Sequence, residues 1–170
     1  MKITLNPNAI SAAEREAKVG EGGFGKYYTD HMVTIDWDEQ SGWAEPELKA
    51  YGPLTLDPAT AVFHYGQEIF EGMKAYRQPD GSVALFRPEA NAQRFNRSAK
   101  RLALPELPVE TFIETVEALV KQDIGWVPNK VGESLYIRPF MIATEVGLGV
   151  RPTNKAKYIL IATPAGAYFN

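Results

Sequence analysis

The chain has 170 residues, a formal net charge of −3, 45% hydrophobic residues and 23% charged residues. That is an ordinary globular composition with length for one domain core, and the acidic balance argues against a general nucleic-acid binder. It has no cysteine and only two histidines, His31 and His64, which excludes disulfides, cysteine nucleophiles and a zinc site of the usual kind.

Residues 1–19 are polar and without a strong stripe, and read as a tail or peripheral arm. GEGGFG at 20–25 contains G-x-G-x-x-G. A dinucleotide fingerprint needs a strand before it and a helix after it, whereas here a strand-like run follows. The glycines therefore read as a loop, in which Phe24 must pack against something or line a pocket. His31 to Trp37 alternates and, with Trp43 to Tyr51 beyond the Ser41-Gly42 turn, predicts a β-hairpin. Residues 59–70 have a helical flavour ending at Gly72, and Met73–Arg77 and Ser82–Phe86 are short strands around the QPDG turn.

Pro88 suits the first turn of a helix. Ala92, Phe95, Ala99 and Leu102 form its apolar stripe, while Arg87, Asn91, Arg94, Ser98 and Arg101 share a narrow arc elsewhere. Val109 to Ile124 is a second helix, with Val109, Phe112, Ile113, Val116, Leu119 and Val120 at helical spacing. Ser134–Thr144 is a core strand in which Pro139 favours an edge or a bulge, and Lys157–Thr163 is the last strand. About six strands and three helices, joined by hairpins as often as by helices, make an α+β domain with a largely antiparallel sheet.

The arginines at 87, 94, 97 and 101 are either a solvated helix face or an anion clamp, since a guanidinium suits bidentate phosphate binding; Arg94 is central. Tyr136 and Arg138, two apart on a strand, leave the same face, either at an exposed edge or as a carboxylate-binding pair. Tyr27, Tyr28, Tyr65 and Tyr168 read individually as core or rim residues, and Glu68 and Glu71 as ordinary surface or capping groups. There is no G-x-S-x-G and no plausible Ser–His–Asp set. From residue chemistry alone the chain is an anion-binding α+β domain.

Six blocks in order, FGKYYTDHM, HYGQEIFEGMKAY, LFRPEANAQRFNRSAKRL, SLYIRPF, GLGV and PAGAYF, resemble the branched-chain amino acid aminotransferases of pyridoxal-phosphate fold type IV. The resemblance implies pyridoxal 5'-phosphate as cofactor, with Arg94 as its phosphate ligand. It implies that Phe24, Phe70, Tyr136 and Tyr168 wall the substrate pocket and that Arg138 holds the distal carboxylate of glutamate. Tyr65, Leu148 and Val150 match residues that reach the active site of the neighbouring subunit in a homodimer. The substrates implied are leucine, isoleucine or valine with 2-oxoglutarate. Alternatives within the fold are a D-amino acid aminotransferase or an aminodeoxychorismate lyase; outside it, a non-catalytic binding domain derived from the family.

No lysine of this chain falls in the family's Schiff-base motif, which is expected beyond residue 170. On that resemblance residues 1–170 are the small N-terminal domain, inactive alone, and the C-terminal domain of the same enzyme is its partner. No apolar run approaches a membrane span and MKITLNPNAI lacks a signal-peptide core, so a cytoplasmic location without membrane, metal or nucleic-acid partner is expected.

Overall fold

A computed structural model describes residues 1–166. Its elements are β1 (Lys2–Ile3), α1 (Ala12–Gly20), β2 (His31–Asp38), β3 (Gly42–Trp43), β4 (Glu47–Ala50), α2 (Ala61–Tyr65) and β5 (Glu68–Phe70). There follow β6 (Met73–Arg77), β7 (Val83–Leu85), α3 (Pro88–Arg101), α4 (Val109–Gln122), a 3-10 turn (Ile124–Trp126), β8 (Ser134–Ala143) and β9 (Lys155–Ala165). All strands join one sheet in the order β1-β4-β2-β9-β8-β6-β7, with β3 on β2 and β5 on β8.

The fold is α+β, as expected, but the sheet is mixed: every pairing is antiparallel except β1 with β4. The described residues give it nine strands rather than about six. The additional ones are β1, β5 and the division of the second hairpin arm into β3 and β4, all too short to show a period of two. The helical reading of 59–70 holds only for Ala61–Tyr65, because Gly66 adopts φ +57 as C-cap and turns the chain into β5.

The sheet has two faces of different fate. Leu135, Ile137 and Met141 of β8 and Tyr158, Leu160 and Ala162 of β9 lie in the main core. Ala92, Phe95 and Ala99 of α3 and Phe112, Val116 and Leu119 of α4 complete that core, so the predicted stripes face the sheet, except that Leu102 at the C-cap is 40% exposed. Tyr158 is fully buried, its ring edge-on to Phe95 at 5.8 Å, and its hydroxyl lies 3.2 Å from Thr115 Oγ1. Burial pushes its phenol well above the usual range. On the opposite face Met32, Ile142 and Ile159 are covered by Leu56 and Val62. The other end of that face, around Tyr136, carries no helix among the described residues.

Residues 1–19 are not a loose arm. Ser11 caps α1, and the N-terminal segment is tied to a buried polar network. The Asn6 backbone N–H donates to His31 Nε2 at 2.9 Å, which leaves the ring proton on Nδ1, 2.7 Å from Asp123 Oδ1. Asp30 accepts from the Ile10 backbone N–H and from Trp126 Nε1. A polar segment without apolar periodicity thus docks through hydrogen bonds rather than through a stripe.

Pro139 is neither at an edge nor in a bulge, since β8 pairs with β9 along its whole length. Its carbonyl accepts from the Glu71 N–H at 2.9 Å. A strand residue's N and O point to the same side, so the missing donor falls where β5 gives way to β6 and no β8–β9 bond is lost. No helix among the described residues is long and apolar enough to cross a membrane.

Candidate functional site

Alternation along β8 sends Tyr136 and Arg138 to the uncovered face together, as their spacing predicts. β8 is interior, so the exposed-edge reading of this pair falls away. The Arg138 Nε and Nη2 donate to the Tyr136 hydroxyl at 3.2 and 2.9 Å, and its guanidinium carbon lies 4.3 Å from the Phe70 ring centroid. Phe24 meets Tyr136 edge-on, with centroids 4.9 Å apart at 76°. Phe24, Tyr28, Tyr136, Arg138, Ile161 and Thr163 line a cleft of about 100 Å³. Among the described residues Arg138 has no carboxylate partner. Its charge rests against aromatic faces, in reach of an incoming anion.

The glycine loop holds Phe24 there. It runs from α1 to the start of β2, the reverse of a dinucleotide-binding order, as the sequence indicated. The Gly166 N–H donates to the Gly23 carbonyl at 2.9 Å, and Thr163 Oγ1 donates to the Tyr27 carbonyl at 2.6 Å. Gly22, Gly23 and Gly25 all take positive φ, which lets the loop fold back over β9.

Arg94 projects from α3, which packs on the opposite face of the sheet from this cleft. Its Nε and Nη2 donate to Glu71 Oε1 and Oε2 at 2.6 and 2.7 Å, and Asn91 Nδ2 donates to the same carboxylate at 2.9 Å. Glu71 is therefore no surface or capping group: its side chain is 5% exposed, against 57% for Arg94. The bidentate bond raises the already high pKa of the guanidinium, keeping it charged. Arg94, Arg97, Ser98 and Arg101 share an open concavity with Phe70, so the arginine arc gathers as predicted, while Arg87 sits at the N-cap of α3 with φ +48.

Three consecutive residues join the two clusters. Phe70 lies under Arg138, Glu71 grips Arg94, and Gly72 lies against Tyr136. A Cβ on Gly72 would stand 2.3 Å from the Tyr136 hydroxyl, so only glycine permits this approach.

Tyr65, Leu148 and Val150 are not in the cleft. The Tyr65 hydroxyl donates to the Leu148 carbonyl, and the loop carrying Leu148 and Val150 follows the far end of β8. That end is roughly 23 Å from Tyr136 at a rise of about 3.3 Å per residue. Leu148 and Val150 are 65% and 81% exposed. Tyr168 lies outside the described residues. Residue-by-residue reading passed over Glu71, Tyr28 and Thr163 as site residues. Thr163 has a signal, since it shares the face of Ile159 and Ile161; Glu71 has none, its partner being 23 positions away.

The fold and these side chains define an α+β domain with an aromatic cleft in which the Arg138 guanidinium has no carboxylate partner among the described residues. No protein-family model matches the chain. It is 63% identical, over 98% of its length, to 47% of a Streptomyces coelicolor protein named "Probable branched-chain-amino-acid aminotransferase". It is 58% identical, over 98% of its length, to 46% of the Mycolicibacterium smegmatis branched-chain-amino-acid aminotransferase. Its fold resembles the Escherichia coli branched-chain amino acid aminotransferase at a TM-score of 0.64 and 24% identity, covering 84% of this chain and 42% of that one. The Thermobaculum terrenum branched-chain amino acid aminotransferase, solved in its PLP form, gives 0.60 and 17%, covering 81% and 41%. The chain is similar to branched-chain aminotransferases over nearly all of its own length, and it spans about half the length of the curated relatives it matches.

Proposed function

We propose that residues 1–170 are the N-terminal domain of a cytoplasmic, homodimeric, pyridoxal-phosphate-dependent enzyme. It transfers the amino group between leucine, isoleucine or valine and 2-oxoglutarate. The observation that carries this is the run Phe70–Glu71–Gly72, which links an anion-ready arginine on α3 to an aromatic cleft holding a second arginine that has no carboxylate partner among the described residues.

The residues present fit the cofactor's phosphate. Arg94 is more than half exposed, Glu71 occupies only the Nε–Nη2 edge of its guanidinium, and Ser98, Arg97 and Arg101 border the same concavity. When bound, pyridoxal phosphate supplies the electron sink that loosens bonds at the substrate's α-carbon. This chain's residues bind and orient. Arg94 takes the phosphate by charge-assisted bonds. Phe24, Phe70 and Tyr136 pack against a branched aliphatic side chain, and Arg138 pairs with the distal carboxylate of a dicarboxylate substrate.

Among the described residues no lysine lines either the cleft or the Arg94 concavity, which supports a covalent lysine supplied from another domain. Tyr65, Leu148 and Val150 are exposed and do not line this chain's own cleft, which supports their reaching the site of a second copy.

The test is turnover in the protein as its organism makes it, with the Arg138→Ala variant alongside. Leucine and 2-oxoglutarate should exchange amino groups. Arg138→Ala should raise the KM for 2-oxoglutarate and glutamate at least tenfold, the loss of about 1.4 kcal/mol or more expected for a charge-assisted pair, with a smaller effect on leucine. Equal losses for both substrate types would count against the assignment, and absence of any leucine turnover would remove the reading.

A further inference from the structure

We propose that Glu71 is a positioning residue for the anion site, an inference that rests on the cofactor-phosphate reading of Arg94. The carboxylate is buried, and every strong contact it makes is to α3: both Oε atoms to Arg94, and Oε2 also to Asn91 one turn earlier. Its backbone is fixed as well, through the Glu71 N–H on the Pro139 carbonyl inside the sheet. An exposed arginine has several rotatable bonds and wanders, and holding one loses rotamer freedom. Here that freedom is already removed before any anion arrives.

The geometry also selects which edge of the guanidinium works. Glu71 takes Nε and one proton of Nη2. The remaining donors are the two protons of Nη1 and the outer proton of Nη2, which form the terminal edge. An anion therefore meets Arg94 end-on, from the side of the concavity that also holds Arg97, Ser98 and Arg101. A negative charge beside an anion-binding arginine lowers the net attraction, so Glu71 works against the anion as a charge. Its contribution is orientation.

Orientation and charge can be separated. Glu71→Asp keeps the charge and withdraws the carboxylate by one methylene; Glu71→Gln keeps the length and one acceptor and removes the charge. The measurement is the ratio of the dissociation constants for pyridoxal phosphate and for pyridoxal, taken by absorbance titration of the protein as its organism makes it. Circular dichroism checks folding. The ratio isolates the phosphate contact from contacts to the ring.

Glu71→Asp should reduce the phosphate preference at least about fivefold, and Glu71→Gln should retain more of it than Asp does. In an Arg94→Ala background, Glu71→Asp should have no further effect on the ratio. An unchanged or increased preference in Glu71→Asp overturns the inference. So does a Gln variant below the Asp variant, or an effect that persists without Arg94. Failure of the underlying reading looks different: Arg94→Ala by itself would then leave the preference at the unsubstituted value.

Discussion

Gly72→Ala tests how closely the two clusters are joined. The added Cβ would stand 2.3 Å from the Tyr136 hydroxyl oxygen, 3.0 Å from Cζ and 3.1 Å from Cε2, so one partner must move. Gly72 sits in the sheet between Glu71, bonded to Pro139, and Met73, paired with Ile137, so the tyrosine moves. Swinging its ring off its rotamer costs about 0.5–1.5 kcal/mol. The edge-on contact with Phe24 and the hydrogen bonds from Arg138 are then lost, at about 0.5–1.5 kcal/mol each, less what solvent restores at a half-exposed position. A net loss of about 1–3 kcal/mol is expected. That corresponds to a melting-temperature drop of roughly 3–10 °C for a domain of this size.

The assay is thermal and urea unfolding of the chain, with the same change made over Tyr136→Phe. Removing the hydroxyl leaves a nearest approach of 3.0 Å and should shrink the penalty. A Gly72→Ala chain as stable as the parent, or a penalty undiminished by Tyr136→Phe, would refute the contact as the reason for glycine here.

Two further outcomes concern the supports beneath the site. His31→Ala removes the side chain linking Asn6 to Asp123 and leaves a carboxylate that is 3% exposed with fewer donors, so urea unfolding should show a loss of about 3 kcal/mol. Tyr158→Phe deletes the hydroxyl bonded to Thr115 and should cost about 1 kcal/mol near neutral pH. The buried phenol's pKa is raised above that of the unfolded chain, so its stabilising share is complete below pH of about 10 and declines as pH rises further. The unsubstituted chain should therefore lose stability above that pH by up to about 1.4 kcal/mol per unit more than Tyr158→Phe does. Parallel stability-pH curves for the two would sink this account.

Much of the site was open to local reading. Tyr136 and Arg138 share a face because strand periodicity is two, whatever the strand's neighbours are. Arg94 stands out because α3 has a clear apolar stripe opposite its arginines. Glu71 escaped for a related reason. The side chains at 70 and 72 belong to one face and that at 71 to the other, where its partner arrives from a helix much later in the chain. Pro139 misled because its missing donor is harmless only where β5 ends and β6 begins, and no local pattern states that.

The sequence by itself determined the helices α3 and α4, the β6–β7 turn, the pairing of Tyr136 with Arg138 and the family blocks. Each rests on spacing, backbone preference or residue order within a short span. Tertiary structure decided that the polar N-terminus is anchored by His31 and Asp30, and that β8 is interior. It also decided that Tyr65, Leu148 and Val150 do not line this chain's own cleft, and that Glu71 pairs with Arg94. Those outcomes depend on hydrogen bonds and packing between residues far apart in sequence, and such contacts have no period to read.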